Sequence, residues 1–100
     1  DRLASIADPL HPAVLRLIAI TAEAGAAAGI ATAVCGELGG DPTLAPLLLG
    51  LGVRELSMSA PSIPLVKDAV REVDLAAART LALRALDAAT ARDVATLLGR

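Results

Sequence analysis

Hydrophobic residues recur at helical spacing in the first part of the chain. Pro12 suits the first position of a helix, and Leu17 and Ile18 lie three and four residues after Val14. Charged residues fall between these positions, so one face is apolar and the other polar. The pattern predicts an amphipathic helix over about 12–28, and Gly29 suits the left-handed residue that ends such a helix.

Two short runs have a different pattern and are candidate strands. The first, over about 30–35, is apolar and bounded by glycine on both sides, which is typical of a strand buried on both faces in a parallel sheet. The second, over about 53–58, has Val53, Leu56 and Met58 as its apolar residues. The first run ends at Cys35, the only cysteine of the chain, and Gly36, Gly39 and Gly40 are predicted to form the loop after it.

Helices are predicted after each strand. Four further helical patterns each begin with a residue that commonly caps helix N-termini. The predicted caps and helices are Asp41 for 42–49, Ser62 for 63–72, Asp74 for 74–88 and Thr90 for 91–98. Helix-strand-helix units in series predict parallel strands joined by right-handed crossovers. Because two strands do not make a stable sheet alone, and because the chain opens at Asp1 without a methionine, we expect it to be the closing part of a larger α/β barrel or sheet.

Composition narrows the function classes. The 100 residues are 55% hydrophobic but include no aromatic residue, the net charge is −2, and the nine Lys and Arg residues are dispersed. Neither a stacking platform nor a basic stripe is present, which argues against nucleic-acid binding. One cysteine excludes an internal disulfide, and no apolar run approaches the roughly 18–20 residues of a membrane span. We therefore expect a cytoplasmic protein that binds neither nucleic acid nor membrane.

The candidate chemistry lies where the first strand passes into its loop, since active sites of α/β proteins are commonly built there. Cys35 is either an inert buried thiol or, at a strand end beside a helix start, a titratable one. Glu37 is either a base or, as we favour, a residue that orients the loop. Gly36, Gly39 and Gly40 either cradle a phosphate or only permit a tight turn. His11, before Pro12, is interpreted as part of a helix start rather than a catalytic residue.

The residues around this loop resemble a known family. Cys-Gly-Glu-Leu-Gly-Gly-Asp-Pro at 35–42 and Pro-Leu-Leu-Leu-Gly-Leu-Gly-Val-Arg-Glu-Leu-Ser-Met-Ser at 46–59 are similar to the C-terminal part of the phosphoenolpyruvate-protein phosphotransferases, Enzyme I of the bacterial sugar phosphotransferase system. His-Pro-Ala-Val-Leu-Arg-Leu-Ile at 11–18 and Ser-Ile-Pro at 62–64 extend the resemblance from residue 1 to about residue 73.

The resemblance implies an α/β fold, with this chain as the last two βα units and terminal helices of a (β/α)8 barrel that binds phosphoenolpyruvate (PEP). It implies that Cys35 donates a proton to the enolate carbon as pyruvate forms, and that Arg2 contacts PEP. It also implies Mg²⁺ held by residues outside these 100, and transfer of the phosphoryl group through an enzyme histidine to the carrier protein HPr. We further expect a homodimer or self-association, because a partial barrel leaves apolar strand edges uncovered.

Two other interpretations remain open. Pyruvate phosphate dikinase and PEP synthase also carry a Cys-Gly-Glu segment, so the chain could be part of such an enzyme. Alternatively, a partial barrel could act as a non-catalytic module that associates with itself through uncovered strand edges and leucine-rich helices. The phosphotransferase interpretation requires further sequence that carries metal ligands and more arginines. The self-associating module requires only these 100 residues.

Overall fold

A computed structural model describes residues 8–100. They form a mostly helical α/β domain, and the elements in chain order are α1 (Pro12–Ala27), β1 (Ala33–Val34), α2 (Gly36–Gly39), α3 (Ala45–Gly50), β2 (Glu55–Leu56), α4 (Ile63–Arg71), α5 (Leu75–Leu86) and α6 (Ala91–Leu97). Turns of 3₁₀-helix at Pro42–Leu44 and Ala60–Ser62 lead into α3 and α4. None of the helices in this part of the chain is long and apolar enough to cross a membrane.

The two strands lie side by side and parallel. Ala33 is opposite Glu55 and Val34 is opposite Leu56, and the Ser57 N–H donates to the Val34 carbonyl at 2.8 Å just past the ladder. The strands are shorter than the predicted runs over 30–35 and 53–58, and Ala33 is exposed rather than buried. Each strand has a single neighbour among residues 8–100, which leaves one edge of each strand unpaired.

The core lies between α1, α3, α5 and α6. The largest side chains that are almost completely removed from solvent are Leu15, Leu47, Leu48, Val53 and Val94. Helix α3 packs most extensively against α5, where Gly50 approaches the backbone of Ala78. Because no aromatic side chain is available, the core is built from leucine, valine and alanine, and small residues on α5 allow the two helices to approach closely.

Side-chain hydrogen bonds at the helix N-termini agree with some of the predicted helix caps and not with others. The Nδ1 of His11 accepts a hydrogen bond from the Ala13 N–H at 3.1 Å, and Thr90 Oγ1 accepts one from the Asp93 N–H at 3.1 Å, so both residues cap helices. Ser62 does not cap α4, because Pro61 lies in a 3₁₀ turn that already includes Ser62 and places the N-cap of this turn at Ser59. Asp74 precedes α5 but its side chain makes no capping hydrogen bond.

Helix α2 was not predicted. Residues 36–39, interpreted from sequence as a loop, form one helical turn directly after β1. Gly36 has a φ of +71°, a conformation that residues other than glycine rarely adopt, and it turns the chain sharply from strand into helix. The sequence signal for this turn is a glycine-rich segment, which predicts loops and tight strand-to-helix turns equally well.

Candidate functional site

An open cleft of about 650 Å³ lies at the carboxyl edge of the two strands. Parallel pairing brings both strand ends to this edge, so the segments that follow each strand face one another across the cleft. The residues that line it from the first segment are Gly36, Glu37, Gly40, Asp41 and Pro42, and those from the second are Ser57, Met58, Ser59 and Ser62.

Cys35 lies at the end of β1, immediately before the cleft-lining Gly36. Its backbone is extended, with φ −114° and ψ −179°, and it is the N-cap residue of α2. The thiol is free and exposed. The side chain does not itself form a wall of the cleft in residues 8–100, so the structure places an accessible thiol beside the cleft rather than inside it.

The three glycines after Cys35 have different surroundings. A Cβ at Gly39 would lie 2.6 Å from the carbonyl oxygens of both Val34 and Ser57, so α2 is packed directly on the ends of the two strands there. Gly39 therefore serves close packing. Gly36 and Gly40 line the cleft instead, and no atom of residues 8–100 lies within 4 Å of the position of a Cβ at Gly36.

Glu37 is exposed on α2 and lines the cleft. Its carboxylate makes no hydrogen bond or ion pair with any group in residues 8–100. Nothing within this range holds Glu37 in one orientation, so its predicted role of orienting the loop has no contact to support it there.

Asp41 is the most fully engaged side chain at the cleft. Its Oδ1 accepts hydrogen bonds from the N–H and the hydroxyl of Thr43, at 3.0 and 2.8 Å, and thereby caps the 3₁₀ turn that leads into α3. Its Oδ2 lies 3.2 Å from Nη1 of Arg100. The sequence indicated the capping role, but it carries no local signal for a contact between residues 59 apart.

Arg2 and His11 were also considered from sequence, and serines line part of the cleft. Arg2 lies outside the described residues, so its predicted contact with PEP stays a prediction. His11 caps α1, in line with its interpretation as part of a helix start. Ser57 and Ser59 both line the cleft, and the Ser59 hydroxyl lies 3.4 Å from that of Ser62.

The described residues do not provide a metal site. No group of three or more His, Cys, Asp or Glu side chains in residues 8–100 is placed to hold a metal ion. Among residues 8–100, Glu37 and Asp41 are the two carboxylates that line the cleft, and Asp41 is already paired with a guanidinium. This donor set does not fit Mg²⁺, which is usually held by carboxylates with several waters in octahedral geometry.

Comparison with known proteins gives consistent relatives. The phosphoenolpyruvate-protein phosphotransferase of Haloferax volcanii is 48% identical over 98 residues, which is 98% of this chain and 17% of that protein. The multiphosphoryl transfer protein of Rhodobacter capsulatus is 51% identical over 92 residues, 92% of this chain and 11% of that protein. The chain thus spans less than a fifth of the length of these relatives.

A family model agrees with these relatives over most of the chain. The model described as "PEP-utilising enzyme, PEP-binding domain" matches residues 1–75, which include both strands, the cleft and Cys35. The resemblance inferred from residues 35–42 and 46–59 is thereby confirmed. Three quarters of the sequence follow one family pattern, and the chain therefore belongs to the PEP-binding domain family of the PEP-utilising enzymes.

Proposed function

We propose that this chain is the C-terminal part of the PEP-binding barrel of a phosphoenolpyruvate-protein phosphotransferase. The longer protein would transfer the phosphoryl group of PEP to one of its own histidines and then to HPr, with release of pyruvate. The observation that carries this proposal is the exposed Cys35 thiol at the carboxyl end of a parallel strand, within the segment that matches the PEP-binding family.

Cys35 is proposed to supply the proton that completes pyruvate. Transfer of the phosphoryl group breaks the bond between phosphorus and the enol oxygen, and that oxygen keeps the electron pair. The resulting enolate takes up a proton at its terminal carbon; the Cys35 thiol would donate this proton and become a thiolate. A thiol suits this step because it is mostly protonated at neutral pH and still gives up its proton readily.

The cleft beside Cys35 is proposed to hold part of PEP. Gly36 and Gly40 let the backbone approach a ligand closely because neither presents a side chain to the cleft. Arg2 is proposed to contact the phosphate or carboxylate of PEP through its guanidinium, which pairs well with such oxygens. Glu37 and Gly39 would support the loop, Gly39 through its packing against both strand ends.

The remaining components are proposed to come from other parts of the longer protein. When bound, Mg²⁺ would neutralise negative charge on PEP, and its ligands would lie outside residues 8–100, which lack a suitable set. The partners would be PEP or pyruvate, HPr and a second copy of the protein. A cytoplasmic location suits a chain whose single cysteine is free.

The test is Cys35→Ala in the longer protein that carries this chain. We expect pyruvate formation to slow by about 100-fold or more, since a positioned proton donor contributes on that scale. Affinity for PEP, measured by calorimetry, should stay within about twofold because removal of the thiol leaves the charged contacts to the ligand in place.

Two controls accompany this test. Met58→Leu changes a cleft-lining side chain across from Cys35 while conserving its volume, so its turnover should stay close to that of the unsubstituted protein. The 100-residue chain alone should transfer no phosphoryl group to HPr, because the metal ligands and the acceptor histidine are proposed to lie elsewhere. Unchanged pyruvate formation in Cys35→Ala would contradict the proposed role of the thiol.

A further inference from the structure

The segment after α6 returns to the cleft. Arg100 follows the last helix, and its backbone N–H donates to the Ala95 carbonyl at 2.9 Å, which fixes the start of its side chain against the helix end. Its Nη1 lies 3.2 Å from Asp41 Oδ2 and 3.5 Å from Thr43 Oγ1. The guanidinium thus contacts the residue that caps the Pro42–Leu44 turn and the residue in the middle of that turn.

Arg100 completes the set of contacts that hold Asp41. One carboxylate oxygen accepts two hydrogen bonds from Thr43, and the other meets the guanidinium, so both oxygens are engaged. Hydrogen bonds between ionised partners are shorter and stronger than neutral ones and define the orientation of the groups that make them. With both oxygens engaged, the carboxylate has little freedom to rotate.

The ion pair lies between two cavities. Asp41 lines the 650 Å³ cleft, and together with Glu37 and Arg100 it also lines a neighbouring cavity of about 410 Å³. Glu37 lines both cavities as well, but of the two residues that the Arg100 guanidinium contacts, Asp41 is the one that lines the cleft, so a change at Arg100 would reach the cleft through Asp41. The other ion pair within residues 8–100, Arg71 with Asp68, joins two exposed positions of α4 three residues apart and reaches neither cavity.

We propose that Arg100 is a positioning residue for the PEP reaction: by holding Asp41, it keeps the 40–43 turn in place as one wall of the cleft. This inference rests on the proposed function. Arg100 lies beyond residues 1–75, so the family pattern does not assign it a role. Exposed ion pairs contribute little to the free energy of unfolding. The contact should therefore matter for the geometry of the cleft more than for stability.

The experiment compares Arg100→Ala, Arg100→Lys and Arg71→Ala in the longer protein. Arg100→Ala should lower kcat/KM for PEP by about tenfold, because small displacements of a binding wall reduce turnover strongly. Lysine keeps one positive charge near Asp41 and should restore the value to within about threefold of the unsubstituted protein. Arg71→Ala removes the matched exposed ion pair and should leave kcat/KM unchanged.

Hydrogen–deuterium exchange supplies a second readout that does not need turnover. The Thr43 N–H is bonded to Asp41, so peptides that span 40–44 should exchange faster in Arg100→Ala than in Arg71→Ala, while the midpoint of thermal unfolding stays the same. If the two variants match in both exchange and kcat/KM, the proposal is wrong. It is also wrong if only one of the two quantities changes.

Absence of PEP-dependent turnover in the unsubstituted protein would instead overturn the proposed function, and with it the role of Arg100 in that reaction. The exchange comparison would then still decide whether Arg100 fixes the 40–43 turn. The two failures are therefore distinguishable.

Discussion

Gly50 lets α3 and α5 pack closely, because it has a hydrogen atom where every other amino acid has a side chain. It is the last residue of α3, and a Cβ there would overlap the carbonyl of Ala78 and lie 3.0 Å from the Ala82 Cβ on α5. The Ala78 carbonyl is a backbone group rather than the end of a flexible side chain, so it cannot shift without moving α5. The core depends on this contact because α3 carries Leu47 and Leu48.

We expect Gly50→Ala to lower the free energy of unfolding of the 100-residue chain by about 1–3 kcal/mol, the usual cost of overpacking. The better helix propensity of alanine would offset only part of this, about 0.5–1 kcal/mol. Urea unfolding followed by circular dichroism measures the effect, since the chain has no aromatic residue to report by fluorescence.

Gly40→Ala is the matched control for Gly50→Ala. Gly40 has a φ of −91°, which alanine adopts readily, and the nearest atom to an added Cβ is the Met58 Cβ at 3.2 Å. Gly40→Ala should therefore lower the free energy of unfolding less than Gly50→Ala does. An equal loss of stability in the two variants would mean that the contact with Ala78 relaxes without cost.

At the scale of elements, α6 depends on its N-cap residue, Thr90, more than the longer helices depend on theirs. It has seven residues, fewer than an isolated helix needs in water, and Thr90 provides the side-chain cap at its start. The helix contributes Val94 to the core and precedes Arg100, so its start affects both the packing and the contact with Asp41.

Thr90→Ala should destabilise the chain by about 1 kcal/mol, because the Asp93 N–H loses its acceptor. Thr80→Ala is the control with the same chemical change inside α5, where the hydroxyl donates to the Ala76 carbonyl and the side chain is exposed. Alanine is the better helix former there, so Thr80→Ala should be neutral or slightly stabilising. Equal urea midpoints for the two variants would contradict a capping role for Thr90.

At the scale of the whole molecule, many large apolar side chains face solvent in residues 8–100. The most exposed are Leu17, Ile20, Ile30, Leu65 and Leu83, each more than 60% exposed. Together with the unpaired strand edges, they leave this surface poorly suited to water. The larger barrel proposed for the full protein would cover part of it.

We therefore expect the 100-residue chain to associate as its concentration rises, measured by sedimentation velocity. Leu17→Glu combined with Ile20→Glu introduces two charges on one face of α1 and should lower the average mass. Thr80→Glu adds a charge to an exposed position of α5 and serves as the control. A single monomeric species at every concentration would contradict this prediction.

The sequence predicted features that depend on neighbouring residues. The apolar run that ends at Cys35, the left-handed Gly29, the helix start at His11 and the cap at Thr90 all have local signals, and the structure shows Gly29 with a φ of +73°. Features that depend on distant residues were missed. The contact of Arg100 with Asp41 and that of Gly50 with Ala78 join segments far apart in the chain, and no local pattern encodes them.

Local signals were also insufficient where two of them competed. Ser62 has the side chain of a helix cap, but Pro61 beside it favours a 3₁₀ turn, and the turn prevails. The glycines from 36 to 40 suit both a loop and a tight helical turn. Packing favours the helical turn, because Gly39 allows α2 to pack against both strand ends.

The packing of α3 against α5 also bears on how such domains are inherited. The family pattern ends at residue 75, yet Ala82, Ala85 and Val94 beyond it belong to the same buried cluster as the leucines of α3 within it. A recombination event that joined another gene at residue 75 would carry over the whole family signature and leave Leu47 and Leu48 open to water. Fusions that keep the domain folded must therefore retain the two terminal helices, so the evolutionary unit extends past the segment by which it is recognised.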